Sequence, residues 1–520
     1  MSVLPHGWTE APVSLVADVN PPQPEELVSD ESLVSFVPMA SVQEESGVLD
    51  PSQLRPWRDV RKGYTRFQEG DVLFAKITPC MENGKFALAK GLHGGVGAGS
   101  TEFHVLRPRV VRPNYLLNFL LQSSIRRDAR LIMKGAAGQL RVPTSFFDQI
   151  NIPVAPLEQQ DRIVAEIEKQ FTRLDAATAA LKRVQANLKR YRASVLKAAC
   201  EGRLVRTEAE LARKERRDYE PADQLLQRIL RERRARWEAD TLAKMIASGK
   251  PPEDDHWKQK YKEPACPHVA NLPALPEGWC WATLQQLTSL ITSGSRGWGE
   301  LYSESGPLFI RAQDIKTDSL KVEDAARVQL TGNGEGTRTL VQRFDLLVTI
   351  TGANVTRTAL VTHEIEEAYV SQHVGLVRPV ISETSHYLYH WIISPMQGRA
   401  ELLRLAYGAG KPGLNLENLR ELLIALPPGT EQLRIQSELS RIMSTLVELD
   451  STVNRAAQHS SGLRTSILQR AFAGELLPQN PNDEPTSVLL QRIHAQTVAT
   501  PRGRRTDGHS RTEPETVEVS

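Results

Sequence analysis

The sequence predicts an α+β chain: two mixed α/β modules separated by two long helices that pair as an antiparallel coiled coil, the whole related by a pseudo-twofold internal repeat. Three observations carry this. Short motifs recur in the same order at a shift of 264 to 274 residues. Each copy ends in a proline-free stretch with apolar residues every three or four positions. Before each stretch, short β-type runs alternate with turn residues.

The repeat is collinear. Leu4-Pro5-His6-Gly7-Trp8 returns as Leu275-Pro276-Glu277-Gly278-Trp279, and Val105-Leu106-Arg107-Pro108 as Leu376-Val377-Arg378-Pro379. From residue 131 the shift settles at 272: Pro156 falls on Pro428, Gln160-Asp161-Arg162-Ile163 on Gln432-Leu433-Arg434-Ile435, and Gly202 on Gly474. A further block, Glu220-Pro221 with Leu225-Leu226-Gln227-Arg228-Ile229, returns as Glu484-Pro485 with Leu489-Leu490-Gln491-Arg492-Ile493.

The modules are expected over 1–156 and 273–428. Strands are predicted over Asp71–Ile77 and Asp345–Ile350, amphipathic helices over Leu116–Arg127 and Leu388–Arg399, and a loop over Gly91–Gly99, which carries five glycines. The long helices are expected over 157–203 and 429–476, opened by Pro156 and Pro428 and closed by Gly202 and Gly474. The first stripe holds Ile163, Ile167, Phe171, Leu174, Leu181, Val184, Leu188 and Val195; the second holds Ile435, Leu439, Ile442, Leu446, Leu449, Val453, Leu463 and Ile467. A helix of about 45 residues is roughly 65 Å long. Such a stripe is expected to pair with its counterpart. The alternative, each stripe packed on its own module, leaves much of it uncovered. Residues 204–272 are expected to form a charged helix around Arg231–Trp237 and then a proline-rich linker. That arginine run suits a solvated helix face as well as phosphate contact. Residues 477–520 should be a C-terminal segment, largely a disordered tail, with few apolar residues from about 497.

Composition narrows the function classes. The chain has 520 residues, too many for one core, and 64 basic against 62 acidic residues, so any basic surface must be local. Cys80, Cys200, Cys266 and Cys280 form no Cys-x-x-Cys pair, which favours free thiols over a zinc site. The start, Met-Ser-Val-Leu-Pro-His-Gly-Trp, has no secretion signal, and no apolar run approaches the roughly 20 residues that span a bilayer. A cytoplasmic protein is expected.

Catalytic motifs are incomplete. Asn20-Pro21-Pro22 is followed by Gln23, where an amino-methyltransferase needs an aromatic ring to stack on a flipped base. Gly408-Ala-Gly-Lys411 has Pro412 in place of a magnesium-holding hydroxyl and Leu405 in place of the first glycine of a phosphate loop. The 12 histidines are dispersed. The expectation is a chain with no catalytic residues and no metal.

Several of these features together resemble the DNA specificity subunits of type I restriction–modification systems. They are Leu-Pro-x-Gly-Trp at each module start, the proline exit into Glu-Gln-x-Arg-Ile, Ser-Ile/Val-Leu…Gly-x-Leu at each helix end, and Trp257-Lys-Gln-Lys-Tyr-Lys262. The resemblance spans roughly 4–495. It implies two target-recognition domains, each reading one half of a split, asymmetric site in double-stranded DNA. It also implies two methyltransferase subunits that use S-adenosylmethionine, and two restriction subunits, ATP-driven translocase–nucleases that use Mg2+. A modification-only or phage-exclusion system needs the same chain; a stand-alone DNA-acting enzyme is the other alternative. Readers on one face of B-DNA sit one helical turn apart, roughly 34–36 Å, a spacing that a helical rod can set. Base reading needs polar side chains on loops that enter the major groove. The DNA-binding candidates are Lys134, Gln139 and Arg141 in the first module, with Lys411 and Asn415 in the second. Asn83, Lys85, Arg296, Asn354 and Arg357 come from other turns. For each, an ordinary surface role is the competing reading.

Overall fold

The structure, a computed structural model, describes residues 4–22, 29–136, 138–330, 336–408, 410, 412–488 and 491. The tail expected beyond 497 lies outside them. The chain divides into two compact units: Met1–Leu181 with Arg455–Ser520, and Lys182–Asn454. Each unit thus holds one module, part of one long helix and part of the other.

The first module is built on two four-stranded sheets. One runs in the order Ala17–Val19, Phe103–Pro108, Val72–Ala75, Phe86–Leu88, antiparallel throughout. The other runs Leu54–Pro56, Leu33–Val37, Val96–Gly99, Thr65–Gln68, with a parallel central pair. Thr9–Pro12 pairs with Asn151–Val154 and so brings the module's two ends together. The second module repeats the plan. Its antiparallel sheet is Thr288–Ser293, Val374–Pro379, Leu346–Thr349, Thr358–Leu360. Its smaller sheet is Ala326–Val328, Tyr302–Ile310, Ala368–Val370, and Cys280–Thr283 closes on Leu423–Leu426.

The expected strands are present, trimmed to Val72–Ala75 and Leu346–Thr349. The expected loop over Gly91–Gly99 is not: its second half is the strand Val96–Gly99. Glycine stands there because neighbours come close. A Cβ on Gly97 would lie 2.3 Å from the Phe67 ring, and one on Gly99 would lie 2.1 Å from the Val37 carbonyl oxygen. The two amphipathic helices are each broken in two, as Pro113–Leu120 with Ser123–Ile132 and Ser385–Ile393 with Gly398–Leu405. Gln122 turns extended and its Nε2 donates to the Phe119 carbonyl, so the backbone freed at the break keeps a partner.

The long helices run Leu157–Cys200 and Gly429–Phe472. Both end in the same cap: Arg203 N donates to Ala198 O (2.9 Å) and Glu475 N to Arg470 O (2.8 Å). They are antiparallel. In the first unit Asp175 pairs with Arg464, and Thr178 meets Ser460 at 3.2 Å. In the second, Gln185 Nε2 donates to Asn454 Oδ1 at 2.7 Å.

Helix pairing does not cover the whole stripe. Ile163 and Ile167 are buried in the first module's core, and Phe171 and Ile467 pack against it. Val195, Ile435 and Leu439 are buried in the second module's core, where Ile442 packs. Between these ends Leu446 and Val453 are buried, Leu174, Leu181 and Leu188 are half-buried, and Leu449 is 46% exposed. The two readings of the stripe therefore both hold in part: modules absorb its ends, and the partner helix covers much of its middle. The ends pack this way because each helix leaves its module directly from the closing strand.

The 204–272 stretch is helical at first, with Glu208–Glu215 and Ala222–Ala247. Its proline-rich half is not a free linker. Trp257 is buried and stacks on Trp237 (centroids 6.1 Å apart), and Arg233 donates to Tyr261 Oη (2.6 Å) and Thr288 O (2.9 Å). Arg234 and Arg236 pair with Glu238 and Glu232 along the helix, the solvated-face outcome.

Candidate nucleic-acid interface

The repeat persists at the level of single hydrogen bonds. In Leu-Pro-x-Gly-Trp the tryptophan N–H closes a turn on the proline carbonyl, Trp8 to Pro5 and Trp279 to Pro276, both at 3.1 Å. Gly7 and Gly278 sit at φ +82° and +83°, which explains glycine at that position of the motif. Each indole is then latched to its long helix: Trp8 Nε1 donates to Gln159 Oε1, and Trp279 Nε1 to Glu431 Oε1, both at 3.0 Å. Tyr115 Oη donates to Pro153 O (2.7 Å), and Tyr387 Oη to Ala425 O (2.6 Å). Bidentate pairs Arg107–Asp71 and Arg378–Asp345 also match. The segment after each helix docks alike: Thr486 N donates to Gly7 O (3.0 Å), and Ala222 N to Gly278 O (2.8 Å).

Against this matched frame the exposed loops differ. In the first module Lys134–Ala136 and Gln139–Arg141 form a hairpin in which Lys134 faces Arg141. It is tied to the stretch just after the strand Val72–Ala75, through Thr78 N to Leu140 O (3.0 Å) and Val142 N to Lys76 O (2.8 Å). Lys134 and Gln139 are exposed. Arg141 is engaged by a bidentate pair with Glu102 (2.9 and 2.8 Å), and the guanidinium holds that carboxyl below its usual range. Asn83 donates to Glu44 Oε1 (2.9 Å) and Lys85 to Met39 O (3.4 Å), so both tie their turn to the Met39–Glu44 segment.

In the second module the matching segment bridges Tyr407 to Gly413 and Thr351 to Gly413. Tyr407 is 62% exposed beside it. Lys411 lies outside the described residues. Asn415 is a helix cap: its Oδ1 accepts from Asn418 N at 2.8 Å, so its acceptor serves the chain itself. Asn354 and Arg357 are half-buried within the turn Gly352–Arg357, where Arg357 N donates to Asn354 O (3.0 Å), and Arg296 is exposed beyond the strand Thr288–Ser293. The candidates thus separate into exposed side chains on loop tips (Lys134, Gln139, Arg296) and side chains engaged internally (Arg141, Asn83, Lys85, Asn415).

Asn20, from the incomplete methyltransferase motif, is fully used. Its Oδ1 accepts from Val105 N (3.0 Å) and its Nδ2 meets His104 Nδ1 (3.1 Å). His104 Nε2 is 2.8 Å from Val142 O, and burial pushes its imidazole below the usual range. Among the described residues, no three His, Cys, Asp or Glu side chains are placed to hold a metal ion, and no helix is long and apolar enough to cross a membrane. The four cysteines are unpaired.

Residues 333–458 match the type I restriction modification DNA specificity domain. The chain is 28% identical to the type I restriction enzyme EcoEI specificity subunit of Escherichia coli, over 90% of this chain and 83% of that one. It is 25% identical to the EcoAI specificity subunit of the same organism, with the same coverage. The chain is thus similar, over most of its length, to specificity subunits of type I restriction enzymes. A solved chain from a structure described as the basis of complex assembly and conformational transition of the type I R-M system shares its fold. The TM-score is 0.61 at 19% identity, covering 91% of this chain and 100% of that one.

Two groups carry no functional signature in the sequence. Gln159, Gln479 and Glu208 complete the indole latches; Gln159 falls on Glu431 in the repeat, but the contact with each tryptophan spans about 150 residues or more. The basic run Arg55–Arg66 is hidden by the near-neutral total charge.

Proposed function

We propose that this chain is the DNA sequence-specificity subunit of a type I restriction–modification complex. Its modules, taken as 1–156 and 273–428, each read one half of a split, asymmetric site in double-stranded DNA. Its paired helices set the gap and seat two methyltransferase subunits and two restriction subunits. S-adenosylmethionine, ATP and Mg2+ enter through those partners, and no catalytic step is assigned to this chain. The observation that carries the reading is the contrast between frame and loops. Two copies keep the same buried hydrogen bonds while their exposed tips diverge, as two readers of different words on one support require.

Mapping methylated bases in the host genome tests it. Deleting the gene should remove one split motif of two unlike half-sites; survival of every such motif would refute the proposal. Purified chain alone, given S-adenosylmethionine, ATP and Mg2+, should neither methylate nor cut DNA; turnover would favour an enzyme.

A further inference from the structure

Each module has a tight turn that leads from its smaller sheet into its antiparallel sheet, after Val96–Gly99 in the first and after Ala368–Val370 in the second. Around these turns the two copies match bond for bond in the backbone. Ser100 N donates to Val37 O (3.2 Å), and Ser371 N to Ile310 O (2.9 Å). Lys76 N donates to Glu102 O, and Ile350 N to His373 O, both at 2.9 Å. Thr78 N donates to Leu140 O (3.0 Å), and Gly352 N to Pro412 O (2.8 Å). Val142 N donates to Lys76 O, and Leu414 N to Ile350 O, both at 2.8 Å. Each module thus draws three separate segments into one edge.

The side chains carried on that edge do not match. Ser100 and Ser371 are the same residue at the same place, but Thr101-Glu102 follows one and Gln372-His373 the other. Arg141, which pairs with Glu102 in the first module, falls on Gly413 in the second. Other matched bonds join matched residues, as in Arg107–Asp71 with Arg378–Asp345 and in Tyr115 with Tyr387. A backbone kept while its side chains change suits two readers of different half-sites, because base contacts specify a site and the scaffold only places them.

In the second module this turn presents Gln372, which is exposed. The backbone beneath it is braced. Val374 N donates to Ser371 O (3.0 Å), and Gly294 N reaches the same oxygen from the neighbouring loop (3.3 Å). A Cβ on Gly294 would lie 2.2 Å from the Val370 carbonyl oxygen, so glycine is what lets that loop press against the turn. Gln372 Nε2 meets His373 Nε2 at 3.2 Å, which orders the amide beside the imidazole. A primary amide carries two N–H donors and a carbonyl oxygen with two lone pairs, so the ring contact does not exhaust it. In the major groove such an amide matches the N6 donor and N7 acceptor of adenine.

We propose that the turn Ser371–His373 is a base-reading element of the second module, in which Gln372 sets one base pair of the half-site with adenine as the preferred base. Thr101 holds the matched place in the first module. This rests on the reading of the chain as a DNA specificity subunit.

The test uses the full chain assembled with its methyltransferase subunits, and duplexes in which each base pair of the mapped motif is replaced in turn. Gln372→Ala should reduce discrimination at one base pair by about tenfold, within the half-site retained when 1–156 is exchanged, and leave the other half-site unchanged. Gln372→Glu, whose carboxylate accepts but does not donate, should move the preference at that base pair from adenine toward cytosine. A residue that only supports the turn would redirect no preference. Thr101→Ala should alter the other half-site alone. Gln342→Ala, at an exposed glutamine beyond the opposite end of the strand Leu346–Thr349, should alter neither. Gln372 is exposed, so its variants keep the fold, and melting of each complex checks this. Wild-type preference at every base pair in folded Gln372→Ala and Gln372→Glu complexes overturns the proposal. Equal weakening on the motif and on a scrambled duplex overturns it too, since that marks a backbone contact and not a base contact. A wild-type complex with no preference for any motif defeats the underlying reading, a result seen before any variant is made.

Discussion

Trp8 and Trp279 stand at matched positions and meet different chemistry. Trp8 donates to neutral Gln159, whose Nε2 in turn donates to Gln479 Oε1 at 2.6 Å. Trp279 donates to Glu431, which also accepts from Glu208 N at 2.8 Å. Burial pushes the Glu431 carboxyl up to about 7, while Arg217 and Arg434 hold the neighbouring Glu208 below its usual value against its own desolvation. A folded-state value above the unfolded one favours the protonated form. Its contribution is therefore fully present below about pH 4.5 and is lost as pH rises through about 7. Stability of the Lys182–Asn454 unit should fall across that window, and Glu431→Gln should flatten the fall; denaturant titrations at pH 4.5, 6 and 8 check it. An equal slope in both proteins would contradict the assignment. Elsewhere Asp71 is 1% exposed and holds Arg107 bidentately. Asp71→Ala should cost the first unit about 3 kcal/mol, since it strands a partly buried guanidinium. Glu102→Ala, removing the more exposed Arg141 pair, should cost less than about 1 kcal/mol by the same measurement.

The long helices act differently along their length. Their ends are core elements of the modules, and their middles form a seam of half-buried side chains. Extending that seam is a clean perturbation. Seven residues inserted between Asp175 and Gln185, matched by seven between Asn454 and Arg464, keep the heptad register and add about 10 Å. The methylated motif should then show a gap wider by about three base pairs with both half-sites intact; altered half-sites would show that the helices do more than space the readers. The segment after the second helix is an element too. Gln479 reaches the Trp8 latch, Asp483 pairs with Arg162, and Thr486 bonds Gly7 O and Val154 O. Truncation after Gly474 should destabilise the first unit by roughly 3 kcal/mol or more, at about 1 kcal/mol for each lost bond. Unchanged melting of the truncated chain would refute that role.

At the scale of the whole molecule, two copies of one frame support unlike loops. Exchanging 1–156 for the module of another specificity chain should therefore replace one half-site and leave the other, as read by methylation mapping. A change in both halves would mean that the modules do not read independently.

The sequence by itself determined the repeat, the module boundaries as expectations, the two long helices with their glycine caps, and the absence of complete catalytic motifs. All of these depend on local periodicity or on matches along the chain. Only the tertiary structure decided which polar side chains remain available. Arg141, Asn83 and Asn415 have the composition of DNA-reading residues, yet Glu102, Glu44 and the Asn418 amide already use them. It also turned the glycine-rich 96–99 run into a strand, because Phe67 and the Val37 carbonyl press against it from elsewhere in the chain. In the same way it gathered Arg61, Lys62 and Arg66 around one cavity. Partners such as these are fixed by which strands become neighbours, and no local pattern encodes that.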